Sequence, residues 1–242
     1  MTGDKNLRGQ GALVLLARLD SSRLPGKQLK PLGDGTVLDL MARRLANCHH
    51  DIPIILATSD RAIDNPLADF AQQRGLQCFR GNIDDVAGRC LACLQAFNLD
   101  WFVRLCGDSP FADPVLIDRI IDVFLTSDCE IATNVFPRTT PFGASVEIVS
   151  RPAMERICRE TDDMAFLEHV TLFAYRHPDR FKIQNVGEES GAYGDLSLSV
   201  DTADDLAMAQ WIANKLTAPV EAPLTEIVAL AQQWRAETGG RP

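Results

Sequence analysis

The sequence predicts an α/β protein with a mostly parallel central sheet covered by helices on both faces. Short runs that are apolar throughout alternate with segments of helical period, and uniformly apolar strands are those buried from both sides. No Gly/Ser/Pro-rich linker, internal repeat or low-complexity stretch divides the 242 residues. In order, Ala12 to Ala17 predicts a strand and Val37 to Leu45 a helix, then Ile52 to Ala57 and Pro66 to Gln73. Leu76 to Phe79, Asp84 to Phe97, Trp101 to Leu105 and Pro114 to Leu125 repeat the pattern. About residues 11–125 thus form a nucleotide-binding half with right-handed crossovers.

The rhythm changes over about 126–216. Ile131 to Val135, Ala144 to Val149, Phe181 to Val186 and Leu196 to Val200 predict strands. Pro152 to Glu160, Phe166 to His177 and Thr202 to Leu216 predict helices. Leu224 to Glu237 closes the chain as a helix followed by a polar tail, the two together occupying 217–242. One continuous domain, 1–242, is expected, with its cleft at the carboxyl ends of the first strands.

Composition narrows the function. With 46% hydrophobic and 24% charged residues, 16 Gly and 13 Pro, the chain is ordinary for a globular protein; disorder, collagen and coiled coil are excluded. A net charge of −9 opposes binding to nucleic acid or anionic lipid, so neither partner is expected. No apolar run approaches the roughly 18–20 residues of a membrane span. The first ten residues lack the layout of a secretion signal, and seven scattered Cys fit a reducing compartment. A cytoplasmic protein is expected. Cys90 and Cys93 share a helical stripe with Val86 and Leu94 and read as core, and four His offer no Cys/His metal cage.

Three segments carry chemistry. The loop after the first strand runs from Ala17 to Leu32 and holds Arg18, Arg23, Lys27 and Lys30 with Ser21 and Ser22. Four cations this close repel one another unless they bind an anion; Arg grips phosphate bidentately, and Gly26 lets the backbone approach. Neither GxxxxGK[ST] nor GxGxxG is present. A solvated basic turn is the bland alternative. Next, the strand ending at Leu105 runs into Gly107-Asp108-Ser109-Pro110, which delivers one carboxylate to the cleft edge. Mg²⁺ takes such oxygens together with substrate phosphate. Asp113 reads instead as the cap of the helix opening at Pro114. Third, Asp201 in Val200-Asp201-Thr202 ends a strand and opens a helix. Alone it reads as an N-cap, and with Asp108 as the second ligand of a shared Mg²⁺.

Read together, Ala-Arg-x₃-Ser-Arg-Leu-Pro-Gly-Lys, Gly-Asp-Ser-Pro and Val-Asp-Thr-x₂-Asp-Leu resemble the cytidylyltransferase family, in its spore-coat polysaccharide branch. That branch is related to the enzymes making CMP-3-deoxy-manno-octulosonate and CMP-neuraminate. Phe79-Arg80-Gly81, Asp84-Asp85-Val86, Glu168-His169-Val170-Thr171 and Phe181-Lys182-Ile183 extend the resemblance over about residues 11–210. It implies a three-layer Rossmann-like nucleotide-diphosphosugar transferase fold and transfer of CMP from CTP to an acidic sugar or similar anionic acceptor, with release of pyrophosphate. Ala17, Arg18, Ser22, Arg23 and Lys27 would surround the nucleotide, with Thr58 and Ser59 at the base. Lys27, Arg23 and Asp108 would act in catalysis, and Asp108 and Asp201 would hold Mg²⁺. Arg104 would support the phosphates or the metal aspartate, or make an internal salt bridge. A homodimer is implied as well.

The acceptor side departs from the family. Relatives tend to have Tyr at 140, Leu-Asp at 144 and 145, Arg at 197 and Thr at 199, where this chain has Thr140, Ala144, Ser145, Ser197 and Ser199. Glu147 and His169 remain as candidate acceptor contacts. A nucleotide-sugar-dependent glycosyltransferase and a nucleotide-binding protein without turnover are the alternatives the same fold permits.

Overall fold

The apolar runs become strands at nearly the expected places. The computed structural model describes residues 9–187, 193 and 196–239; the first eight residues and the last of the expected tail lie outside it. Its strands are β1 (Gly11–Leu16), a two-residue pair β2 (Pro31–Leu32) and β3 (Gly35–Thr36), β4 (Ile54–Ser59), β5 (Gln77–Gly81), β6 (Trp101–Cys106), β7 (Ile131–Thr133), β8 (Glu147–Ser150) and β9 (Ile183–Asn185). Its helices are α1 (Val37–Leu45), α2 (Asn65–Gln73), α3 (Val86–Ala96), α4 (Pro114–Thr126), α5 (Arg151–Glu160), α6 (Met164–Glu168), α7 (Leu172–Arg176), α8 (Ala203–Lys215) and α9 (Leu224–Thr238).

The central sheet has seven strands in the order β5-β4-β1-β6-β8-β7-β9. β5, β4, β1 and β6 are parallel, and β8 runs antiparallel to both neighbours. Side chains alternate across the sheet, so each strand feeds two cores. Leu13, Leu15, Leu56, Val103 and Leu105 pack against α1, α2 and α4. Ala12, Val14, Ile55, Ala57 and Phe102 pack against α3, α5 and α7. A third cluster joins α8 and α9 to Val37, Leu40 and Phe111. The arrangement is the three-layer α/β fold expected, and no helix among the described residues is long and apolar enough to cross a membrane. Cys90 and Cys93 are core, and burial pushes both thiols up to about 12. None of the seven cysteines, all of them among the described residues, forms a disulfide.

Three expectations fail for tertiary reasons. The helix expected over 166–177 breaks between Glu168 and Leu172, where Val170 is buried and the Thr171 hydroxyl turns inward to the Glu147 carboxylate at 2.6 Å. The strand expected over 144–149 begins only at Glu147, because the Asn134 side chain takes over the ladder: its amide donates to Ala144 O (2.8 Å) and its oxygen accepts from Val146 N (2.9 Å). Residues 196–200 form no strand. Leu196, Leu198 and Val200 alternate into the third core, but their pairing is a single bridge between Ser197 and Phe142.

Candidate active site

The loop after β1 is fixed before it reaches any ligand. Leu19 N donates to Asp64 Oδ1 at 2.7 Å, and Gly26 N donates to Leu19 O at 2.8 Å. Gly26 sits at φ 68°, ψ 18°, the left-handed region that favours glycine, and this turns the chain into a 3-10 turn over Lys27–Leu29. Lys27 is thereby driven inward and is only 6% exposed. Gly107 serves close packing instead. A Cβ there would lie 3.0 Å from Ala17 Cβ and 3.2 Å from Leu16 O, so glycine lets the end of β6 pass this close to β1 without pushing either aside. Asp108 follows at once.

Asp201 arrives from far along the chain. It is not the helix cap. Thr202 caps α8, in a capping box with Asp205. Val200 N donates to Asp108 O at 2.8 Å, holding the two segments together. Asp113 caps α4 through Leu116 N, as expected, so Asp108 is left unencumbered by helix capping.

These elements converge on one ammonium. Lys27 Nζ lies 2.5 Å from Asp108 Oδ2 and 2.7 Å from Asp201 Oδ1, and Arg23 Nη2 lies 3.0 Å from Asp201 Oδ1. Burial by itself would lower the Lys27 pKa; the charge of Asp108 and the bonds to both aspartates outweigh it and hold the amine above its usual value. Two carboxylates aimed at one cation supply the hard oxygen donors that a small divalent ion requires, so this donor set fits Mg²⁺.

The cavity beside this cluster measures about 380 Å³. Ala17, Arg18, Ser22, Arg23 and Lys27 line it, as do Arg104, Asp108, His169 and Asp201. Arg18 contacts Glu168 at 3.4 Å and Asp20 at 3.6 Å, and remains half exposed. Thr58 and Ser59 do not line the cavity. Both are fully buried; the Ser59 hydroxyl donates to Asp64, under Arg61, which pairs with Asp20 at 2.7 Å. The two residues expected at the base thus lie beneath the surface beside the cavity, Ser59 tied to Asp64.

Glu147 is likewise not a cavity residue. It is 4% exposed and pairs with Arg104, while Thr171 and Tyr175 each donate to its Oε1 at 2.6 Å. Burial would raise its pKa, yet Arg104 and the two hydroxyls hold the carboxyl below its usual range. Glu147 thus anchors Arg104, whose internal salt bridge and cavity position coexist. Tyr175 also stacks on Phe136, with centroids 4.8 Å apart and planes 9° apart. Where the family pattern is broken, Thr140 is buried and accepts from Asn134 Nδ2 at 3.0 Å. Ser145 accepts from Arg138 Nη1 at 2.9 Å, and Arg138 lies 4.2 Å over the half-exposed Phe142 ring.

The cavity also contains Gln28, Arg89 and Cys106, which the sequence did not single out, and Glu168, which it offered only within a family motif. The available signal was Arg89, a cation three residues after Val86 on the apolar stripe of α3.

Residues 12–233 match the family model described as cytidylyltransferase. SpsF, a spore coat polysaccharide biosynthesis protein of Bacillus subtilis (strain 168), is 28% identical over 223 residues, spanning 90% of this chain and 92% of that one. A solved cytidylyltransferase from Leptospira borgpetersenii serovar Hardjo-bovis is 26% identical, with a TM-score of 0.89 over 97% of this chain and 98% of its own. The structure of CMP:2-keto-3-deoxy-manno-octonic acid synthetase complexed with CTP shares the fold, with a TM-score of 0.66 at 15% identity over 86% of this chain and 100% of its own. The chain therefore belongs to the cytidylyltransferase family and is a nucleotidyltransferase.

Proposed function

We propose that this protein transfers CMP from CTP to an anionic sugar or similar acceptor, releasing pyrophosphate, with Mg²⁺ held by Asp108 and Asp201. The observation that carries this reading is the convergence of Arg23, Lys27, Asp108 and Asp201 at one cavity within a cytidylyltransferase chain. An acceptor oxygen attacks the α-phosphorus of CTP in line. The bond from that phosphorus to the bridging oxygen of the β-phosphate breaks, pyrophosphate leaves, and the acceptor proton passes to solvent. Lys27 and Arg23 neutralise charge on the phosphates, while Arg18 and Ser22 position them. The metal, when bound, supplies charge neutralisation at the phosphate oxygens. Arg104, held by Glu147, and His169 face the acceptor. The resemblance to SpsF supports a place in cell-surface polysaccharide biosynthesis. One continuous domain, a homodimer and a cytoplasmic location belong to the same reading.

Thermal stability with each nucleoside triphosphate, with and without Mg²⁺, tests it. A ligand bound only by the native state adds about 2.7 kcal/mol at a hundredfold excess over Kd. The expected result is a rise selective for CTP that grows with Mg²⁺. A rise with a nucleotide sugar and none with any triphosphate would overturn the assignment in favour of glycosyl transfer.

A further inference from the structure

The cations around the cavity are matched by carboxylates, with one exception. Lys27 has Asp108 and Asp201, Arg23 has Asp201, Arg18 has Asp20 and Glu168, and Arg104 has Glu147. Among the described residues Arg89 has no ion pair. It is 3% exposed; its Nη1 donates to the carbonyl of Asn82 at 2.9 Å, and its buried Nε has no hydrogen-bond partner. Its position compounds the cost. Arg89 is the fourth residue of α3, where the helix dipole is positive, and the nearby Asp85 carboxylate is engaged in capping Gly88 N at 2.6 Å. Asp64 and Asp85 act on it only through space, so a buried cation at the wrong end of a helix, open to a cavity and without a paired carboxylate, keeps charge for an entering anion to match.

Arg104 reaches the same cavity from β6 with its Nε also buried and unpartnered. It alternates with Phe102, which packs in the core shared with α3, so both guanidinium groups approach from the α3 side of the sheet. The metal-binding carboxylates and Lys27 belong to other segments, the β1 loop and the ends leading to α4 and α8.

We propose that Arg89, together with Arg104, forms a second anion subsite that takes the acceptor's carboxylate and so determines acceptor class. This inference rests on the nucleotidyl-transfer reading: the triphosphate occupies the Lys27 side and the acceptor acid the α3 side. Planar guanidinium forks suit a planar carboxylate bidentately.

The test is a set of thermal melts on the full chain and on its Arg89→Gln and Arg89→Lys variants. CTP with Mg²⁺ is titrated first. Pyruvate, and separately 3-deoxy-manno-octulosonate, is then added at saturating nucleotide and constant ionic strength against chloride. The expected result is a further rise with carboxylate in the wild type. Arg89→Gln should bind carboxylate at least tenfold more weakly yet hold CTP within about twofold of wild type, with Arg89→Lys intermediate. Should Arg89→Gln fail to fold, Arg89→Lys decides alone. Absence of a carboxylate response in the wild type overturns the subsite, and so does a response that neither variant weakens. Loss of the CTP response in Arg89→Gln also overturns it, because the anion would then be a nucleotide phosphate. If CTP fails to stabilise the wild type at all, the nucleotidyl-transfer reading itself fails.

Discussion

Replacing Lys27 by Met keeps most of the buried stem and removes the one charge shared by Asp108 and Asp201. Each lost contact is worth about 4 kcal/mol at 4 Å and an effective dielectric near 20, before desolvation is counted. Desolvating the ammonium offsets several kcal/mol of this. The two aspartate side chains remain 22% and 30% exposed, so water screens their mutual repulsion in the variant. The net cost is about 2 kcal/mol, which for a chain of this length lowers Tm by roughly 4–8 °C. The second consequence has the opposite sign. In the wild type a divalent ion must displace Lys27 from both carboxylates; in Lys27→Met it meets them unpaired. Mg²⁺ or Mn²⁺ should therefore raise the melting temperature of the variant more than that of the wild type. Pyrophosphate release should fall by about 10²–10³, because charge neutralisation at the phosphates is lost. Melting curves across a metal titration, with Asp108→Asn as the metal-blind control, check this. A variant as stable as wild type in EDTA, or one that gains less from metal than wild type does, would refute the pairing argument.

Asp108→Asn and Asp201→Asn should each lower pyrophosphate release by at least about 10² and abolish Mg²⁺-dependent stabilisation, read by coupled phosphate assay and by melting. Arg44 is fully buried and donates to the carbonyls of Ala112, Pro219, Val220 and Ala222, tying α1 to the segment before α9. Arg44→Met should cost about 3 kcal/mol by urea midpoint, since buried acceptors are left unpaired. Glu147 has a folded pKa below its ordinary value, so its contribution is present above about pH 4.5 and lost as pH falls through the lower folded value. Glu147→Gln should remove that acid limb from the stability profile. Cys90 and Cys93 titrate near 12 against an ordinary 9.0; their contribution is complete below pH 9 and lost as pH rises toward 12. Neither thiol should react with a disulfide reagent at pH 8 until the protein unfolds.

The strands and helices of the first half were legible because burial on both faces leaves an unbroken apolar run, and Val37–Leu45 matches to the residue. The second half was less so, since there side chains do the work of backbone. Asn134 replaces ladder bonds that a strand would have made, and Asn before a turn looks like any loop residue. Leu196, Leu198 and Val200 have the period of a strand without the partner that would make one. Periodicity reports which residues are buried, not whether a neighbouring backbone is in reach.

The site divides along the same line. The β1 loop announced its cations by crowding them into one segment, whereas Asp201 alone read as an N-cap and is released from that role by the Thr202–Asp205 capping box found in the structure. That Asp108 and Asp201 both meet Lys27 depends on how β1, β6 and the start of α8 are brought side by side, and no spacing encodes it. Glu147 shows the reverse error. A carboxylate in a predicted strand near the acceptor region invites a substrate role, yet its strand lies inside the sheet beside Arg104, and its oxygens are taken by a cation and two hydroxyls. Arg89 was missed for a related reason. An arginine in the first turns of an amphipathic helix ordinarily lies in solvent, and only the packing of α3 against β5 and the α5 side turns it into a buried charge in need of a counterion.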